Sequence, residues 1–222
     1  MTMLIRNLIH QGVVPVKPSD TVAHALDLLY EVRVRHLPVV DRSGMLVGLV
    51  SEEQLLNASG PEALVDTLLG LEPISGSPDL HIFEATKIII THDLTVLPIA
   101  SDDHKYLGAV RLHDIFNRFA KMLSTNESGA ILALEVASKD YSLSKLVYSI
   151  EQNDVKILSI ATETPEEDGV LRVTLKLDAK DTSRVRHVLE HQGYRIVAAF
   201  SEEGTDEDLR YRVEEFMRYL EV

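Results

Sequence analysis

Two histidines stand one helical turn apart late in the chain, His187 and His191, a spacing that lets both rings reach one metal ion. No third ligand is adjacent and the nine histidines form no cluster, so neutral surface histidines and no metal site are expected. Ser51 has no base evident from the sequence to make it a nucleophile. Cysteine is absent, which removes thiol catalysis, disulfides and thiolate-held metals together. The glycine signatures of a P-loop or dinucleotide fold and the Gly-x-Ser-x-Gly elbow are also missing. No catalytic constellation can be drawn, and the chain reads as a non-enzyme. What remains is a pair of polar words placed 60 residues apart, Gly48-Leu49-Val50-Ser51-Glu52-Glu53-Gln54 and Gly108-Ala109-Val110-Arg111-Leu112-His113-Asp114.

The elements around these words repeat with them. Leu37-Pro38-Val39-Val40-Asp41 returns as Leu97-Pro98-Ile99-Ala100-Ser101, and Leu46-Val47-Gly48-Leu49-Val50 returns as Tyr106-Leu107-Gly108-Ala109-Val110. Two copies at this period are too few and too long for a solenoid and indicate a small domain duplicated in tandem. In the first copy, Gly12–Val16 reads as a short strand and Ser19, Asp20 or Thr21 as a helix cap. A helix follows, with Val22, Ala25, Leu26, Leu29 and Val32 on one face. Then come strand Leu37–Asp41, a turn, strand Leu46–Ser51 and a helix from Glu52. Pro61–Leu69 reads as a linking helix. The second copy repeats the order from Ile74-Ser75-Gly76, through a helix carrying Ile82, Ala85, Ile88 and Ile89, to a helix over Leu112–Leu123.

A polar stretch over 124–129 marks a boundary. Beyond it, Ala130–Ala137, Leu143–Glu151, Val155–Thr164, Val170–Leu177, Asp181–His191 and Tyr194–Phe200 read as βαββαβ, the ferredoxin-like plan. An amphipathic helix is expected over Asp206–Leu220. The expected organisation is repeat one over 1–60, linking helix and repeat two over 61–123, linker 124–129, the βαββαβ domain over 130–201 and the C-terminal helix over 202–222.

Bulk composition narrows the classes. With 45% hydrophobic and 26% charged residues the chain has the makeup of an ordinary soluble protein, and no apolar run approaches a membrane span; the α+β fold class is expected from the order of the elements instead. No signal peptide is read at Met1–Arg6, and the cytoplasm is the expected compartment. The net charge is −13, from 22 basic and 35 acidic residues, so nucleic acid and anionic membrane are excluded as expected partners. The acidic stretches at 163–168 and 202–208 read as solvated segments.

With the strands in place, the two copies resemble a tandem pair of cystathionine-β-synthase (CBS) domains, the Bateman module. The words that carry the likeness are Val13-Val14-Pro15-Val16 before Ser19-Asp20-Thr21-Val22, then Arg35-His36-Leu37-Pro38-Val39-Val40-Asp41, then Gly44-Met45-Leu46-Val47-Gly48-Leu49-Val50-Ser51. The likeness covers about residues 1–123. The remainder resembles an ACT domain, by pattern, and the combination is similar to acetoin-utilisation B type proteins.

The resemblance implies adenine-nucleotide clefts, with a strand glycine, then a Ser or Thr, then an Asp three residues later at a helix start. A helix N-terminus favours phosphate, a hydroxyl adds a contact, and a carboxylate can accept from both ribose hydroxyls. Each copy departs from the pattern: copy one keeps Ser51 but has Gln54 for the carboxylate, and copy two keeps Asp114 but has Arg111 for the hydroxyl. Arg111 offers a forked phosphate clamp instead. The first cleft expected is therefore that of Asp114 and Arg111, with Ile74, Ser75, Val96 and Pro98 beside the base. The second is that of Ser51 and Gln54, with Val14, Pro15, Leu37 and Pro38. Asp114 as a first-turn acid serving only the helix dipole is the structural alternative. The ACT likeness implies an amino-acid site at the turn Ser138–Leu143, which here lacks glycine.

The function expected is a non-enzymatic regulator that senses AMP, ADP, ATP, NAD or S-adenosylmethionine, requires no cofactor, forms a homodimer and relays to an unknown protein partner. The competing readings are a ligand-free dimerisation scaffold and an amino-acid sensor.

Overall fold

Thr21 opens the first helix: its hydroxyl accepts the His24 N–H at 3.3 Å, and α1 (Val22–Val32) runs until Arg33 turns left-handed at φ 56°. The computed structural model describes residues 3–10, 12–70, 73–164 and 169–201, in two compact units, Met1–Arg118 and Phe119–Val222. In the first unit α1 buries Val22, Ala25 and Leu29 in a core shared with the antiparallel hairpin of β1 (His36–Val40) and β2 (Leu46–Ser51). The short helix α2 (Glu52–Leu56) follows. Copy two repeats this as α3 (Ile82–Thr91), β3 (Val96–Ala100), β4 (Tyr106–Arg111) and α4 (Leu112–Met122). The registers match residue for residue: His36 pairs with Ser51 and Val96 with Arg111, and both hairpins slip at the same place, Val39/Val40 and Ile99/Ala100.

The copies are interlaced. The first free N–H of α1 is taken by the carbonyl of Ala63, which lies after copy one, while that of α3 is taken by the carbonyl of Met3, which lies before it; both bonds are 2.9 Å. The N–H groups of Val65 and Ile5 then return to the carbonyls of Asp20 and Leu80. So segment 61–69 serves copy one and segment 3–10 serves copy two. This overturns the expected linking helix over Pro61–Leu69: only Val65–Leu68 coils, as a 3-10 turn, because the donors at Val65 and Asp66 are spent on the approach to α1. The expected strand Gly12–Val16 is likewise one parallel bridge, Val16 to Val39, matched by Gly76 to Ile99. Pro15 has no N–H to extend it.

At the joint, the Leu46 N–H reaches the His104 carbonyl at 2.9 Å and the Tyr106 N–H reaches the Gly44 carbonyl at 3.0 Å. His36 Nδ1 accepts the Thr95 backbone N–H at 3.2 Å, which fixes that nitrogen as unprotonated. Burial, with Arg35 nearby, pushes the His36 imidazole below its ordinary 6.5, against the opposing pull of Asp93.

The second unit has strands β5 (Ala130–Ala137), β6 (Ile157–Glu163), β7 (Val170–Leu177) and β8 (Arg195–Ser201), with helices α5 (Leu143–Glu151) and α6 (Ser183–His191). The sheet is antiparallel in the order β6-β7-β5-β8, so the first strand is central, as the ferredoxin-like plan requires. Leu132, Leu134 and Val136 alternate inward from β5 and share a core with Leu146, Ile150, Val185 and Leu189 of the helices. The fold is α+β throughout. The C-terminal helix expected over 202–222 lies outside the described residues.

Candidate ligand-binding site

Each last strand carries a glycine because a neighbouring segment lies on it. A Cβ on Gly48 would stand 2.5 Å from the Leu69 side chain, and one on Gly108 would stand 2.6 Å from Ile9 and 3.2 Å from the His10 carbonyl. Residues 9 and 69 are again 60 apart. Each cleft is therefore built from the last strand of one copy and the segment that leads into the other.

The copy-one cleft encloses about 280 Å³ and is lined by Gly48, Leu49, Ser51 and Gln54 from copy one, with Ile74 and Leu94 from copy two. Ser51 and Gln54 satisfy each other as a capping box: the Ser51 hydroxyl accepts the Gln54 N–H at 3.1 Å and Gln54 Oε1 accepts the Ser51 N–H at 2.9 Å. Ile74 thus stands with Ser51 and Gln54. This corrects its expected grouping with Asp114, and the interlaced segments are the reason.

In copy two, Arg111 grips Asp114 with both arms of its fork, Nε to Oδ2 at 2.9 Å and Nη2 to Oδ1 at 3.0 Å. His10 Nε2 lies 2.9 Å from the same Oδ2. Burial alone would raise this carboxyl; the Arg111 bond and charge, joined by His10, outweigh it and hold Asp114 below the usual carboxylate range. Here Arg111 holds the carboxylate rather than standing free for a phosphate, and Asp114 has both oxygens engaged.

The expected base contacts divide. Leu37 and Val96 are 0% exposed within the core, so neither offers surface to a base, and Pro38 and Pro98 are buried beside them in their hairpins. Pro15 and Ser75 are partly open and Val14 is exposed. Tyr106 donates its hydroxyl to the Val13 carbonyl at 3.4 Å, which ties the Val13-Val14 stretch to copy two; burial raises its phenol to about 12. His10, Ile9 and Leu69 were missed by sequence reasoning. The signal was present: Leu8-Ile9 and Leu68-Leu69 extend the repeat toward the N-terminus.

The second unit has a cleft of about 630 Å³ at the turn where an amino-acid site was expected, lined by Lys139, Asp140, Tyr141, Lys145, Tyr148 and Tyr194, among others. Ser149 closes its floor, donating to the Lys145 carbonyl or to Gln192 Oε1, each at 2.8 Å. His187 and His191 meet each other at 3.2 Å, and no group of three metal-ligating side chains occurs among the described residues. No helix among the described residues is long and apolar enough to cross a membrane.

The CBS domain family model matches residues 5–60 and 71–121. An inosine-5'-monophosphate dehydrogenase of Korarchaeum cryptofilum is 26% identical over 155 residues, which is 70% of this chain and 32% of that one. The CBS domain-containing protein YhcV of Bacillus subtilis is 25% identical over 133 residues, 58% of this chain and 91% of that one. This chain spans about a third of the length of the dehydrogenases it matches. Among solved structures, a CBS domain pair/ACT domain protein of Thermotoga maritima superposes with TM-score 0.50 at 25% identity, covering 55% of this chain and 99% of that one. Residues 5–60 and 71–121 of this chain are a tandem pair of CBS domains.

Proposed function

We propose that this chain is a cytoplasmic, non-enzymatic regulator, a homodimer whose CBS pair binds an adenosyl ligand between its copies and relays occupancy to a protein partner. One observation carries the reading. The copy-one cleft gathers the motif residues Gly48, Ser51 and Gln54 with the apolar Ile74 of the other copy, so one cavity offers a polar end for ribose and phosphate and an apolar wall for a base. AMP, ADP, ATP, NAD and S-adenosylmethionine share the chemistry this asks for. The Asp114 cleft is the second site, and a ligand there must first displace the Arg111 and His10 contacts. Ligand binding favours one arrangement of the copies, and that differential affinity is the signal.

Thermal melts with each adenosyl compound test this. A ligand at about 100 times its dissociation constant adds roughly 2.7 kcal/mol of stability. Loss of the shift in Ile74→Asp places the ligand in the copy-one cleft, and loss in Asp114→Ala places it in the other. No shift at millimolar ligand leaves the CBS pair as a ligand-free dimerisation scaffold.

A second reading rests on the cleft of the second unit, where Asp140 suits an ammonium group and Lys139 and Lys145 suit a carboxylate. A melt shift with an amino acid alone, lost in Lys145→Ala, makes that unit the sensor.

A further inference from the structure

We propose that residues 206–220, which lie outside the described residues, form a helix that packs back across the open face of the second unit's own sheet, whether or not the CBS pair binds a ligand.

Helices α5 and α6 cover one face of that sheet, where Leu132, Leu134, Val173, Leu175 and Ile196 point inward. The residues between them face the other way, and the strand registers line them up in three rows. One row is Ser159, Lys176, Ile131 and Phe200. The next is Ala161, Thr174, Ala133 and Ala198, and the last is Glu163, Arg172, Glu135 and Arg195. Among the described residues, the segment after α4 reaches the β6 side of this face, where Ser159 donates to the Leu123 carbonyl at 2.9 Å. The β5–β8 side keeps large apolar side chains in solvent. Phe200 is 53% exposed and Ile131 37%, and Val197, left unpaired by the slip at Ala133/Leu134, is 43% exposed. The alanines of the middle row leave a shallow trough beside them that a helix can approach.

Three features of the chain after Ser201 fit it to this side of the face. The first is pattern. Leu209, Val213, Phe216, Met217 and Leu220 recur at helical spacing, which puts all five on one stripe. Thr205 and Asp208 stand before it at capping-box spacing. A helix this short is marginal in water and needs a surface to cover.

The second is reach. β8 ends at Ser201, beside the exposed Phe200. Residues 202–205 can extend about 13 Å, more than the ~10 Å at which a packed layer stands off a sheet. A helix over 206–220 spans about 22 Å, close to the ~26 Å of a strand as long as β5. The short connector makes the chain's own sheet the nearest such face.

The third is charge. The strands of the open face carry three cations, Lys176, Arg172 and Arg195, against two carboxylates, Glu135 and Glu163. Residues 202–222 carry eight acidic residues to three basic ones. Lys176 is only 8% exposed, and its ammonium has no carboxylate partner among the described residues. The acids at 206–208 open the helix at that end of the face. At the other end Arg172 and Arg195 share the one carboxylate of Glu135, so Glu214 arrives over net positive charge.

The chain has no cysteine, so paired thiols report the contact directly. The full chain carrying Ala133→Cys and Val213→Cys is expected to form a disulfide within one chain on mild oxidation, read by mass. Arg210, Arg212 and Arg218 are trypsin sites, and Phe216→Asp is expected to speed cleavage at them about tenfold while cleavage elsewhere is unchanged. That comparison leaves the sheet untouched, so it stands even where Ala133→Cys perturbs the strand. A disulfide between chains, at the mass of two, puts the helix on a second copy and overturns the inference. So does a folded double variant that forms no disulfide, or tail cleavage as fast in the unaltered chain as in Phe216→Asp.

Discussion

The two clefts of the CBS pair share their backbone and differ in how their polar residues are satisfied. In copy one, Ser51 and Gln54 close on themselves at the start of a five-residue helix, and a cavity stays open beside Ile74. In copy two, Arg111 and Asp114 close on each other and recruit His10 from the crossing segment. A duplicated scaffold keeps its glycine and its register while its polar pairs drift. The pair that drifted toward opposite charges spends its hydrogen bonds internally.

The largest effect that would sharpen this contrast is at the glycines. Gly108 has φ 137° and a backbone carbonyl close behind the missing Cβ, whereas Gly48 meets only the flexible end of Leu69. Gly108→Ala should cost roughly 3 kcal/mol in denaturant unfolding and Gly48→Ala roughly 1. Equal costs would show that the crossing segments pack alike. Next is Gln54→Asp, which restores the carboxylate of the family pattern. Adenosyl affinity by calorimetry should rise about tenfold or more, since a bond to a charged group is worth about 1.5–3 kcal/mol. An unchanged affinity would separate ribose recognition from this position. Asp114→Ala should then lower stability by only about 1 kcal/mol, because the Arg111 and His10 side chains it strands are partly solvated. A loss of several kcal/mol would show instead that the Arg111 and His10 contacts support the fold.

The smallest effect is at the joint. His36 titrates below its ordinary 6.5 in the folded chain, so the unfolded chain takes its proton first as pH falls. Stability is full above about pH 6.5 and drains as pH drops through the folded value. The slope should stay well under the ~1.4 kcal/mol per pH unit of a full proton, because the ring is partly open to solvent. His36→Gln should flatten unfolding curves between neutral and mildly acidic pH; an unaltered slope would mean that the Thr95 contact tolerates the charged ring.

Much of this was legible in the sequence because the apolar spacing is plain. Leu46–Ser51, Val96–Ala100, Ala130–Ala137, Leu143–Glu151 and Val170–Leu177 begin and end where the apolar runs and turn residues place them. The helix expected over Pro61–Leu69 does not form because the backbone groups of residues 61, 63, 65 and 66 bond to residues 18–23, partners that the local sequence does not reveal. The site was half legible. The words around Ser51 and Asp114 mark where polar groups gather, but which copy supplies the opposite wall depends on a crossing that no short window shows. Leu37 and Val96 were expected as base contacts because the CBS resemblance places the base between the first strand and the Leu-Pro strand; here both are buried in the core.

The exchange of segments 3–10 and 61–69 also makes the first unit a mechanical device. The carbonyl of Met3 secures α3, and Ile9 and His10 lie across the last strand of copy two. A pull applied at the N-terminus, by a tether, a fused domain or an optical trap, would load Gly108 and Asp114 before it reached any residue of copy one's own hairpin.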